Sequence, residues 1–117
     1  MDEKVLAEKA FEAIELANAS GKIRKGTNEA TKVAEKGVAK LVVVAMDTNP
    51  KEIIMHLGPL CKEKGIPYVE VTNKVELGRA AGLPVGSSAV AIIQEGNAKT
   101  IIKQIADAIL GKDGKAE

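Results

Sequence analysis

The chain has no tryptophan, one phenylalanine and one tyrosine among its 117 residues. That scarcity counts against modules that bind nucleic acid by stacking bases on an aromatic platform, such as RRM and OB-type domains. A single cysteine, Cys61, cannot pair within the chain, and with one histidine it cannot furnish the N/S ligand set of a structural zinc site. Neither a metal nor another cofactor is expected. No apolar run approaches the roughly 20 residues that span a bilayer, and no charged-then-apolar leader opens the sequence. The expectation is a soluble, cytoplasmic protein without a membrane partner. What is present, 45% hydrophobic and 28% charged residues, is the mixture of one globular domain spanning 1–117 with enough chain to bury a core unaided.

The formal net charge of +1 hides an uneven distribution. Residues 1–20 hold two lysines against five carboxylates, whereas residues 21–40 hold Lys22, Arg24, Lys25, Lys32, Lys36 and Lys40 against Glu29 and Glu35. The balances are −3 and +4, and the remainder carries nine of each sign. A local basic segment in a nearly neutral protein suggests an anionic partner met at one patch.

Leu6, Ala10, Ala13, Ile14 and Ala17 fall at helical spacing, so a helix is expected over about 3–19, closed by Ser20-Gly21. Ile23 reads as a short strand, Thr27 as the N-cap of a second helix, and Leu41-Val42-Val43-Val44-Ala45 as an interior strand covered on both faces. Asn49-Pro50-Lys51-Glu52 predicts a helix start, with Ile53, Ile54, Leu57, Leu60 and Cys61 as its apolar face and Gly65 as its stop. A strand over Pro67–Val71, a helix capped by Asn73 with Glu76, a loop from Gly82 to Ser88 and a strand over Ala89–Ile93 follow. Asn97 is expected to cap a last helix bearing Ile101, Ile102, Ile105 and Ile109, and the tail from about Lys112 is expected to fray. This alternation predicts an α/β fold, a three-layer α/β/α sandwich with a small mixed sheet.

Catalytic constellations are thin. Gly21 to Asn28 has the two glycines of a phosphate-binding P-loop, but Thr27 stands where the lysine is required and no long buried strand precedes. His56 and Cys61, five apart on a helix, splay away from each other, so no catalytic residue and no enzyme is expected. The remaining candidate is Gly26-Thr27-Asn28-Glu29-Ala30-Thr31-Lys32, directly after Lys22, Arg24 and Lys25. Helix-start N–H groups and cations suit phosphates, while Asn28, Glu29 and Lys32 can donate to and accept from base edges. Read from the residues alone, an ordinary capped helix with solvated charges remains an equal alternative.

That stretch, with Lys22-Ile23-Arg24-Lys25 before it, resembles the RNA-binding signature of the ribosomal protein L-seven-Ae family. The similarity continues collinearly through residues 39–45, Asn49-Pro50, Leu60-Cys61, Gly65-Ile66-Pro67-Tyr68 and Leu77-Gly78-Arg79-Ala80-Ala81-Gly82, and among members it is greatest to the archaeal ones. The resemblance implies an α/β/α protein that recognises kink-turn RNA, a bent helix with tandem sheared G·A pairs beside a bulge. It implies that Asn28, Glu29 and Lys32 read the guanines and that Lys22, Arg24, Lys25, Gly26 and Thr27 hold phosphates. Leu83, Pro84 and Val85 would cover the bulged nucleotides; the other reading of that apolar loop is that it tucks onto the core.

The implied partners are ribosomal RNA and guide RNAs with kink-turns, a Nop-type scaffold protein and a fibrillarin-type methyltransferase, not DNA. The implied assemblies are the large ribosomal subunit, box C/D and box H/ACA particles, and RNase P in tRNA processing. One departure from many relatives is Met46-Asp47 followed by Asn49, where an acidic pair is common; Asn49 keeps an acceptor and loses the charge. The runner-up function is a small interaction subunit whose basic patch docks on an acidic protein, followed by an enzyme acting on a phosphorylated small molecule.

Overall fold

The structure, a computed structural model, describes residues 2–111. The expected fraying of 112–117 lies outside the described residues. Helix α1 (Glu3–Ser20) is capped by Asp2, whose side chain accepts from the Val5 N–H at 2.9 Å. Then come β1 (Lys22–Lys25), α2 (Thr27–Glu35), β2 (Leu41–Ala45), α3 (Glu52–Met55), α4 (Leu57–Lys64), β3 (Tyr68–Val71), α5 (Lys74–Ala80), β4 (Ala89–Gln94) and α6 (Lys99–Ala106).

The four strands lie in the order β1-β4-β2-β3, with β2 and β3 parallel and β4 antiparallel to both β1 and β2. Strand side chains alternate between faces, so the continuous apolar runs feed two cores. Leu41, Val43, Val90 and Ile92 pack with α1, α5 and α6 through Ile14, Leu77 and Ile105. Val42, Val44, Ala89 and Ala91 pack with α2, α3 and α4 through Ala30, Ile54, Leu57 and Cys61. The fold is therefore the expected α/β/α sandwich with a mixed sheet. Burying a side chain such as Ile14, Leu77 or Ile92 is worth about 1.5–3 kcal/mol relative to exposure, which is why such runs dictate layers.

Three helix starts differ from expectation, two through contacts with distant segments and one through a local turn. Gly26, not Thr27, is the N-cap of α2, because the Thr27 hydroxyl is engaged by Ser88, 2.6 Å away, instead of folding back on its own helix. Lys51, not Asn49, precedes α3, since the Ile53 and Ile54 N–H groups donate three residues back to Pro50 and Lys51 and the chain is still turning there. The helix also divides at His56, which leaves Ile53 42% exposed and removes it from the apolar face. Asn97 lies in a 3₁₀ turn (Gly96–Ala98) with its N–H donated to Ser20 Oγ at 2.8 Å, so α6 begins after Ala98. Asn73 caps α5 as expected, accepting from the Val75 and Glu76 N–H groups.

Candidate nucleic-acid interface

The interface is built where the ends of β1 and β2 meet the start of β4. Strand β1 is an edge strand whose Ile23 side chain packs into the core beside α1, while Lys22, Arg24 and Lys25 are exposed. Among the described residues Arg24 Nη1 donates only to the neighbouring Ile23 carbonyl, at 3.2 Å, and the side chain is exposed.

Gly26 then turns the chain at φ 97°, a conformation that side chains other than glycine's rarely tolerate, and donates its N–H to the Ala89 carbonyl at 2.8 Å. As N-cap it brings no side-chain acceptor, so the first N–H groups of α2 remain available to an anion, with the positive end of the helix dipole behind them.

Ala30, Val33 and Ala34 bury one side of this nine-residue helix, and that burial sets what the other side displays. Asn28, Glu29 and Lys32 are all exposed there, at positions i, i+1 and i+4. Lys32 Nζ stands 3.8 Å from Glu29 Oε2 with side chains 66% and 49% exposed, a pair too solvated to restrain either group strongly. The display thus offers an amide, a carboxylate and an ammonium within one turn.

Residues 82–88 approach the same end of the sheet. The Ser87 N–H donates to the Lys74 carbonyl, the Ser88 carbonyl accepts from the Ala45 N–H, and the Ser88 hydroxyl meets Thr27. The apolar triplet splits between the two readings entertained for it. Leu83 is half-buried and packs against the α1 core, whereas Pro84 is exposed and Val85 is 64% exposed. Tucking onto the core accounts for the first residue alone.

Two contacts at this site had no sequence signal. Thr31 Oγ1 lies 2.7 Å from His56 Nε2, tying α2 to the break between α3 and α4, and Thr27 to Ser88 spans 61 positions of chain. His56 is exposed and Cys61 fully buried, so the two do not form a reactive pair. Burial pushes the Cys61 thiol up to about 11, which keeps it protonated at neutral pH. Among the described residues no group of three or more His, Cys, Asp or Glu side chains is placed to hold a metal ion, and no helix is long and apolar enough to cross a membrane.

Taken together, one mixed sheet between two helical layers, with a helix start that has no side-chain cap, a polar face and edge-strand cations at one end, defines a small α/β/α protein with a cationic and polar display at that end. The chain belongs to the Ribosomal protein L7Ae/L30e/S12e/Gadd45 family, whose model matches residues 8–102, a span that includes every candidate residue above. Among solved structures it is similar to one described as the Giardia lamblia 15.5kD RNA binding protein. The two are 30% identical, the match covers 93% of this chain and 90% of that one, and the TM-score is 0.85.

Val85 and Leu83 are expected to separate when mutated singly. Val85→Ser should leave the melting temperature of the free protein within about a degree, since exposed positions contribute little to stability. Leu83→Ser should lower it measurably through lost core packing. Thermal unfolding of both variants checks this, and equal melting temperatures would contradict the split.

Proposed function

We propose that this protein binds RNA and recognises kink-turns, reading the sheared G·A step with Asn28, Glu29 and Lys32 and holding phosphates with Lys22, Arg24, Lys25 and the N–H groups that follow Gly26. The observation that carries the reading is the carboxylate of Glu29 within one turn of the uncapped start of α2, amid the cations of residues 22–32. Phosphate attraction alone would disfavour a carboxylate there, whereas guanine imino and amino groups need an acceptor. Family membership and the RNA-binding description of the Giardia lamblia relative support RNA as the partner. Val85 and Pro84 would cover the bulged nucleotides, with Leu83 anchoring the loop beneath them.

On this reading the protein supplies RNA architecture and leaves chemistry to others. Its assemblies would be the large ribosomal subunit and box C/D and box H/ACA particles, with RNase P as a further one. A Nop-type scaffold and a fibrillarin-type methyltransferase would be its protein neighbours in the cytoplasm.

The test is binding of a short RNA with tandem G·A pairs and a bulge against the same RNA with those pairs replaced by Watson–Crick pairs. Selective binding of the first is expected, and equal affinity would refute kink-turn recognition. At the phosphate positions, Lys22→Ala or Arg24→Ala should weaken binding of both RNAs alike. Each lost contact should also make the slope of log affinity against log salt shallower by about one. Salt titrations of the variants check this; an unchanged slope in both would place these cations outside the footprint.

A further inference from the structure

The other edge of the sheet has a different character. The Val42 N–H donates to the Pro67 carbonyl and the Met46 N–H to the Val71 carbonyl, so residues 67, 69 and 71 face β2. With the period of two along a strand, Tyr68, Glu70 and Thr72 turn their N–H and C=O groups outward, where no described strand pairs with them.

A groove of about 540 Å³ runs beside this open edge. Ala7, Phe11, Met46 and Val71 give it an apolar floor, Ala7 and Phe11 being one helical turn apart on α1. Glu3, Glu8, Glu70 and Glu76 also line it, against the single ammonium of Lys4. Glu3 and Glu8 of α1, which the proposed RNA interface does not use, thus stand with Glu70 and Glu76 beside unpaired backbone.

We propose that the outer edge of β3 and its acidic groove accept an extended, Lys/Arg-rich polypeptide segment as an added strand. Main-chain bonds to Tyr68, Glu70 and Thr72 would supply the pairing, as in other cases of strand addition. Long basic side chains would lay their aliphatic stems on the apolar floor and their charges among the carboxylates. The charges choose this occupant over its rivals. Edge-to-edge pairing with a second copy would set Glu70 and the α1 carboxylates of the two chains against each other, and RNA phosphates would be repelled. Because β1 and β3 are opposite edges of the sheet, the segment does not compete for the cations of residues 22–25.

The probe is an alternating lysine–valine heptapeptide with blocked ends, titrated into the isotopically labelled full chain at low salt and followed by amide chemical shifts. Shifts centred on residues 68–72 and the first half of α1 are expected, with slowed hydrogen exchange at the amides of 70 and 72. Glu8→Gln combined with Glu76→Gln, both at exposed positions, should weaken the peptide about tenfold without altering the protein's circular dichroism. A peptide N-methylated at alternate residues, and a glutamate–valine counterpart, should fail to bind. Shifts confined to another surface, undiminished binding of the N-methylated peptide, or an unchanged affinity in the double variant would each overturn the proposal.

Discussion

Gly78→Ala is expected to destabilise the protein by about 1–3 kcal/mol or more, although the substitution should favour a helix. Gly78 is buried within α5, and at a solvent-exposed helical position alanine would gain about 1 kcal/mol over glycine. Here a Cβ would run into the carbonyl oxygen of Val85 and stand 3.0 Å from the Cα of Gly86. Both obstacles are backbone, which cannot rotate aside as a side chain can, so overpacking outweighs propensity. Gly58→Ala on α4 is the matched control, because its Cβ would meet the Tyr68 ring at 3.4 Å, close to an ordinary contact. Urea unfolding of the two variants should show a clear loss for Gly78→Ala and little change for Gly58→Ala. Equal stabilities would mean that the 82–88 loop does not rest on α5. Because Ser88 in that loop holds Thr27, the Gly78 variant is also expected to weaken RNA binding through displacement of the start of α2.

Glu29→Ala should cost about 1–3 kcal/mol of kink-turn affinity and relax discrimination against the Watson–Crick control. The sign is what makes this informative. Removing a carboxylate from a cationic patch raises its attraction for phosphate, so a purely electrostatic interface would bind both RNAs more tightly. A base-reading Glu29 predicts the opposite for the kinked RNA and little loss for the duplex. The Lys32 pair contributes at most about 1 kcal/mol at this exposure, so the fold should survive unchanged. Affinities for both RNAs at one salt concentration decide the matter. A gain for both, or an equal loss for both, would end the base-reading assignment.

Much of this molecule was legible because it is written in local periodicity. The unbroken apolar runs at 41–45 and 89–93 announce strands covered on both faces, and Ala10, Ala13, Ile14 and Ala17 are the buried stripe of α1. The cationic segment, its Gly26 turn and the exposed trio on α2 also stand where their spacing puts them, because burial of Ala30, Val33 and Ala34 leaves that face no alternative. The acidic excess of residues 1–20 was countable, yet nothing in the count placed two of its carboxylates, Glu3 and Glu8, beside an open strand.

The misplaced helix starts share one origin. Thr27, Asn49 and Asn97 all carry the right chemistry for a cap, and capping propensity worth about 1 kcal/mol is easily overridden by a tertiary partner or turn. For the Thr27 hydroxyl the competitor is the Ser88 hydroxyl, far away in sequence, while Asn97 is held in a 3₁₀ turn with its backbone N–H donated to the likewise distant Ser20 hydroxyl. The chain's own pattern of apolar and polar residues determined which segments are helix or strand, which faces they bury and where the basic patch lies, since those follow from each residue's preference for water and from neighbours within one turn. Only the tertiary structure decided that β4 lies between β1 and β2, that Leu83 is anchored while Val85 is free, and that β3 is left as an open acidic edge, because pairing between distant segments is set by shape and hydrogen bonding across the sheet, which local periodicity does not encode.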